Sequence, residues 1–144
     1  MATNRRQMQV SCERVWAVLS DGHRYAEWVV GTDHIRDVDS GFPAPGSRLH
    51  YTVGFWPLRH EGHTEVLSVD LSNRIELEAH AWPLGTARIV LRLTNGHPGC
   101  TVEVEEHPRR GLASRLHNPV LDLAVKARNV EMLRRLERAA SAQA

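Results

Sequence analysis

The spacing of apolar residues along this chain changes period twice. After a short alternating stretch, Arg5–Val10, with Met8 and Val10 set against Gln7 and Gln9, the pattern becomes helical. Val15, Trp16 and Leu19 fall at i, i+1 and i+4, behind Ser11 as N-cap and with Glu13 in the first turn, where the helix dipole favours a negative charge. Asp21-Gly22 ends that helix, and His23–Val30 gives a second short one with Tyr25, Trp28 and Val29 on one side. From Asp33 the period is two. Strands are predicted at 33–39, 48–56, 59–70, 74–82, 86–94 and 100–107, separated by the turn sequences FPAPGS, WPL, LSN, PLG and NGHPG. Short strands at this spacing, with no helix between them, make an antiparallel meander. The helical period then returns. Asn118 and Pro119 fit N-cap and N1, and Leu121, Val125, Met132, Leu136 and Ala140 form a stripe that also contains Asn129. Arg128, Glu131, Arg134, Arg135 and Arg138 fall on the other side, and Leu123, Ala124 and Ala127 make the first half apolar nearly all round, a candidate association surface for a homodimer.

Alternation also sorts the strand faces. Ile75, Leu77, Ala79 and Ala81 oppose Glu76, Glu78 and His80; Ala87, Ile89, Leu91 and Leu93 oppose Arg88 and Arg92; Cys100, Val102, Val104 and Glu106 oppose Glu103 and Glu105. Glu76, Arg92 and Glu103 therefore predict a cross-strand charge ladder on a solvated outer face. Glu106 breaks the apolar inner pattern. The register of 59–70 is open. Pairing through the WPL turn with Tyr51 opposite Glu65 and Val53 opposite His63 turns His63 and Glu65 inward, as Leu67 and Val69 favour. A slip of one residue turns Thr64 and Val66 inward instead, and a bulge would satisfy both.

The order strand, two short helices, meander, long helix implies an α+β fold in which a curved sheet buries its apolar face against the last helix. The segments VWAVLSDGHRYAEWV, PAPGSRLHYTVG and ARNVEMLRRLERA resemble the helix-grip proteins of the START and polyketide cyclase/dehydrase superfamily, which include the birch-pollen-allergen-type ligand carriers. The resemblance covers about residues 3–140. It implies a seven-stranded sheet around the C-terminal helix, with the two short helices at the mouth of an apolar cavity. It brings no shared catalytic motif.

At 144 residues the chain is expected to be one domain. Eighteen Lys and Arg against seventeen Asp and Glu give no basis for a nucleic-acid partner. Lys126 is the only lysine, which excludes most Schiff-base chemistry and suggests a GC-rich, bacterial coding sequence. No apolar run approaches a membrane span and no leader is apparent, so Cys12 and Cys100, far apart in sequence, are expected as reduced thiols in the cytoplasm. His60-Glu61-Gly62-His63 is one residue short of a zinc motif, and its two imidazoles fall on opposite faces of a strand; no metal or cofactor is expected.

The expected function is binding of a small hydrophobic molecule: aromatic, polyketide-like or lipid-like. The residues expected to line the site are Trp28 (with core packing as its alternative, as expected for Trp16), Tyr51, Val53, Phe55, Leu77, Ile89, Leu91, Val104, Glu106, Val125 and Asn129. The alternative is a cofactor-independent cyclase or dehydratase with Glu106, Tyr51 and His63 as acid/base groups, and a second is a protein-interaction module without a ligand. In a partly apolar cavity the Glu106 carboxyl would titrate above the ordinary value of about 4.3, making Glu106→Gln neutral or mildly stabilising at pH 7. If Glu106 instead pairs with Arg109 or Arg110, it is structural.

Overall fold

The structure is a computed structural model that describes residues 2–55, 58–81, 85–96, 99–110 and 119–142; the side chains of 54, 55, 58, 59, 81, 108–110 and 119–122 lie outside that description. Seven strands form one antiparallel sheet. They are β1 (Ala2–Met8), β2 (Thr32–Val38), β3 (Arg48–Phe55), β4 (Leu58–Asp70), β5 (Arg74–Ala81), β6 (Gly85–Asn95) and β7 (Cys100–Arg110), in the order β1-β7-β6-β5-β4-β3-β2. The meander runs from β2 to β7, and β1 closes onto β7. Between β1 and β2 lie α1 (Cys12–Leu19), a 3₁₀ turn (Gly22–Arg24) and α2 (Tyr25–Trp28); α3 (Pro119–Ser141) ends the chain. The curved sheet with its long C-terminal helix is the helix-grip α+β fold expected from the sequence.

Local chemistry accounts for the joints. The Ser11 hydroxyl caps α1 by accepting from the Arg14 N–H at 3.3 Å. The Asp21 carboxylate accepts from the His23 N–H at 3.1 Å, so the Asp-Gly pair that stops α1 also starts the next turn. Gly22 is needed for close approach: a Cβ there would lie 2.7 Å from Val38 Cγ1. The second predicted helix divides into the 3₁₀ turn and one turn of α-helix, and the first strand lies two to three residues earlier than predicted. α3 is described from Pro119 onward; the predicted N-cap Asn118 lies outside the described residues.

The inner face of the sheet carries the core. Leu49, Ile75, Leu77, Leu91, Val102 and Val104 are buried there against Met132, Leu133, Leu136 and Ala140 of α3 and Val15, Val18 and Leu19 of α1. The outer face carries the charge ladder. Arg92 lies 3.6 Å from Glu103 and 2.7 Å from Glu105, while Glu76 takes Arg74 at 2.6 Å and Arg88 at 3.5 Å. Such half-exposed pairs add little stability each and serve mainly to keep this face solvated.

Two expectations are corrected. In β4 the register lies three residues from the inward-histidine pairing, which gives the same faces as a slip of one: Tyr51 stands opposite Gly62 and Val53 opposite His60, so His63 and Glu65 face outward while Thr64 and Val66 are buried. A bulge between Val66 and Ser68 returns Val69 to the inner face opposite Ile75, so both apolar signals of that strand are satisfied. The cysteines are not reduced thiols. Cys12 and Cys100 form a disulfide with Cα atoms 4.8 Å apart, because Cys12 opens α1 where it passes the start of β7. That pairing removes the basis on which a reducing compartment was inferred.

Candidate functional site

Polar side chains from four parts of the fold meet inside the grip. Tyr25 and Trp28 come from α2, Tyr51 and Thr64 from diagonal positions of the paired strands β3 and β4, Glu106 from β7, and Arg128 and Asn129 from α3. The rings of Tyr25 and Trp28 meet edge to face at 5.0 Å, and Tyr25 stacks on Tyr51 at 5.9 Å, forming an aromatic wall. The Tyr51 and Thr64 hydroxyls hydrogen-bond at 2.7 Å. Across from them an Arg128 Nη2–H donates to the Glu106 carboxylate and also reaches Asn129 Oδ1 at 3.4 Å.

Burial makes the two phenols harder to ionise. It pushes the Tyr25 hydroxyl well above the ordinary tyrosine range, with the neighbouring Tyr51 adding to the shift. It raises Tyr51 as well, partly offset by the Thr64 hydrogen bond and by Arg128. Both therefore remain O–H groups near neutral pH and are available as donors. Among the described residues, three N–H groups of the same cluster have no partner: Trp28 Nε1, Arg128 Nε and Asn129 Nδ2, on residues of which Trp28 and Asn129 are fully buried. Buried donors without partners are uncommon and costly. The cluster is thus rich in donors and short of acceptors.

Of the residues expected at the site, Tyr51, Glu106, Asn129 and Trp28 fall in this cluster. Leu77, Ile89, Leu91 and Val104 are buried on the same inner face. Val53 packs half-buried at the core, Val125 is half-buried on α3, and the Phe55 side chain lies outside the described residues. His63 is on the other face of the sheet, stacked on His80, and is withdrawn as a site residue. Its lowered pKa, caused chiefly by burial and by His80, belongs to that outer face. Trp16 packs, half-buried, against the core. The expected partners of Glu106, Arg109 and Arg110, have side chains outside the described residues; the partner seen is Arg128, which the sequence pattern had assigned to the solvent side.

Thr64, Tyr25 and Arg128 are the cluster members that the sequence reading did not select. Thr64 was visible as the inward residue of the slipped register, and Tyr25 as an apolar-side residue of the second helix. Arg128 had no signal beyond standing next to Asn129. Thr64→Val tests the network: it keeps the shape but removes the hydroxyl that pairs with Tyr51. It is expected to cost about 1–2 kcal/mol in urea unfolding, because a buried phenol loses its partner. An unchanged midpoint would mean that Tyr51 finds another acceptor.

Two other features are separate from this cluster. A groove of about 460 Å³ between Glu27 and the end of α3 is lined by Glu131, Arg135, Arg138, Ala139 and Ala142 and lies on the molecular surface. Among the described residues no three His, Cys, Asp or Glu side chains are placed to hold a metal ion, and no helix is long and apolar enough to cross a membrane.

Solved structures reproduce this architecture. Ara h 8.0201 superposes with a TM-score of 0.75 at 12% identity, over 98% of this chain and 97% of that one. The Mesorhizobium loti protein MLL2253 gives 0.73 at 18% identity, over 99% of this chain and 98% of the other. DynU16, from the dynemicin biosynthetic locus, gives 0.72 at 19% identity, over 98% of this chain and 47% of that chain. At these identities the likeness concerns the fold. No curated protein sequence matches the chain. A sequence model described as polyketide cyclase/dehydrase and lipid transport matches residues 2–141, and with that match over nearly its whole length the chain belongs to this family.

Proposed function

We propose that this protein is a single helix-grip domain that binds a small, largely apolar molecule between the inner face of the sheet and α3, and that the ligand carries carbonyl or other acceptor oxygens. The observation that carries this reading is the donor surplus of the buried cluster. Among the described residues, Trp28 Nε1, Arg128 Nε and Asn129 Nδ2 lack partners beside two buried phenols. A ligand oxygen would satisfy such groups, whereas a hydrocarbon would leave them stranded. The aromatic wall of Tyr25, Trp28 and Tyr51 and the apolar inner-face residues Leu77, Ile89, Leu91 and Val104 suit a flat, aromatic or polyketide-like body.

The test is competition. The neutral dye N-phenyl-1-naphthylamine should bind the folded protein saturably with about one-to-one stoichiometry. Anthraquinone should displace it at least about tenfold more effectively than anthracene, a preference equivalent to about 1.4 kcal/mol. Equal displacement would remove the acceptor-oxygen requirement, and absence of saturable dye binding would remove the carrier reading altogether.

A second reading is favoured by the burial of Glu106 within reach of Arg128 and on the same inner face as Tyr51. A carboxylate there can take a proton from a carbon next to a ligand carbonyl while the phenol donates to the developing enolate oxygen, the proton economy of an aldol cyclisation or dehydration without cofactor. Glu106→Gln would then retain ligand binding and lose turnover. Loss of binding alone would leave the carrier reading in place.

A further inference from the structure

The outer face of the sheet holds an arrangement that ligand binding does not use. His50 is the register partner of His63, and His63 that of His80, so three imidazoles stand in one row across β3, β4 and β5. The rings of His63 and His80 stack at 4.4 Å with planes 13° apart; His50 and His63 are 6.0 Å apart. The row lies between two inner-face levels, with Tyr51 one residue to one side of it and Thr64, opposite Ala79, one residue to the other. The row therefore sits on the reverse side of the strand positions that form the Tyr51–Thr64 hydrogen bond.

The charged surroundings leave the middle ring without a free counter-ion. On β3 and β4, Arg48 and Glu65 are paired at 2.8 Å. On β4, Glu61 faces Arg36 of β2 at 3.8 Å. On β5, Glu78 lies 3.0 Å from His80. From β6 the row meets Thr86, the partner of His80, with Arg88 in the next row opposite Glu78. From β2, Asp37 is the register partner of His50. Thus His80 has a carboxylate beside it, His50 has one opposite, and His63 is flanked by two imidazoles, Arg48 and an already engaged Glu65.

We propose that this histidine row is an acid-sensing element: protonation of the His63 ring, set between His50 and His80, loosens β3–β5 and weakens the hold on a ligand at the opposite face. A charge on the middle ring is unfavourable where it stands between two imidazoles and beside Arg48, since like charges opposite one another on neighbouring strands are destabilising. The direction of pH dependence follows from the middle ring. Burial, His80, Arg48 and His50 hold the folded His63 below the ordinary imidazole value. The unfolded chain then takes up the proton first as pH falls, so stability is full above an ordinary imidazole value of about 6.5. It declines from there down to the folded value.

The ligand part of this proposal rests on the function proposed above; the stability part does not. Binding of N-phenyl-1-naphthylamine and urea unfolding are measured at pH 7.5 and 5.5 for the unaltered protein, His63→Gln and His80→Gln. The unaltered protein should bind the dye about three- to tenfold more weakly at pH 5.5, with a lower urea midpoint. His63→Gln should match it at pH 7.5 and lose most of both pH effects; His80→Gln should do the same and serves if His63→Gln does not fold. An equal acid-induced loss in all three proteins would overturn the role of the row. If no protein binds dye at pH 7.5, the carrier reading and the ligand part fail together. The urea midpoints then decide the acid-sensing part alone: a drop confined to the unaltered protein supports it, and a common drop removes it.

Discussion

Replacing both Cys12 and Cys100 by serine, or reducing the disulfide, should lower the unfolding free energy by about 4–5 kcal/mol, because a cross-link over 88 residues removes that much chain entropy from the unfolded state on the loop-closure estimate. This is a large part of the stability of an ordinary domain. The bond ties the first turn of α1 to the start of β7, where the backbone is already close: a Cβ at Gly99 would run into the carbonyl oxygens of Met8 and Val10. α1 carries Val15, Val18 and Leu19 into the core and leads directly to Tyr25 and Trp28, so the cross-link also anchors the aromatic wall. The check is urea unfolding with and without reductant. The unaltered protein should shift to a lower midpoint on reduction, and the double serine variant should start low and not respond. A reductant-insensitive midpoint in the unaltered protein would show that the thiols are unpaired in solution.

The elements that sequence periodicity revealed most fully are those where one face is wet and the other buried. β5 and β7 alternate cleanly, β6 does so except at the buried outer-face Val90, and the inward position of Glu106 follows from Val102 and Val104 alone. Asn129 was legible for the same reason, as the one polar residue in an apolar helical stripe, and it is fully buried. β4 was ambiguous because a bulge changes the parity of the pattern partway along: Thr64 and Val66 obey one register and Val69 the other. Period counting has no means of locating an extra residue. Arg128 was misplaced for a different reason. A helical wheel assigns a direction to the Cα–Cβ bond, while a long guanidinium side chain can leave from the flank of a helix and still deliver its head to a buried carboxylate. The disulfide was missed because spacing of 88 residues carries no information about which strand end a helix start will pass. Compartment, inferred from cysteine count, inherited that error.

The Glu106–Arg128 pair reverses one expectation outright. A lone buried carboxyl would have made Glu106→Gln neutral or stabilising, but a carboxylate that accepts from a guanidinium cannot be removed without leaving the cation unmatched. The two partners are unequally placed: the Glu106 side chain is 6% exposed and that of Arg128 36%. Arg128 can turn toward water when Glu106 is lost, so Glu106→Leu should cost about 2 kcal/mol, and Glu106→Gln somewhat less because the amide still accepts a hydrogen bond. Arg128→Met strands the deeper group and should cost more, about 3 kcal/mol. In the double variant Glu106→Leu/Arg128→Met neither charge remains, and stability should return to within about 1 kcal/mol of the unaltered protein, giving a coupling of several kcal/mol in the cycle. Urea unfolding of the four proteins at pH 7 measures this directly, and strictly additive losses would mean that the pair is not formed in solution. The same double variant separates architecture from function. If the pair only holds α3 to β7, the restored protein should still prefer anthraquinone to anthracene as a competitor of the dye. If Arg128 is one of the donors that orient a ligand oxygen, stability returns while that preference falls toward one, because the inner face remains apolar but has lost the group that told a ketone from a hydrocarbon.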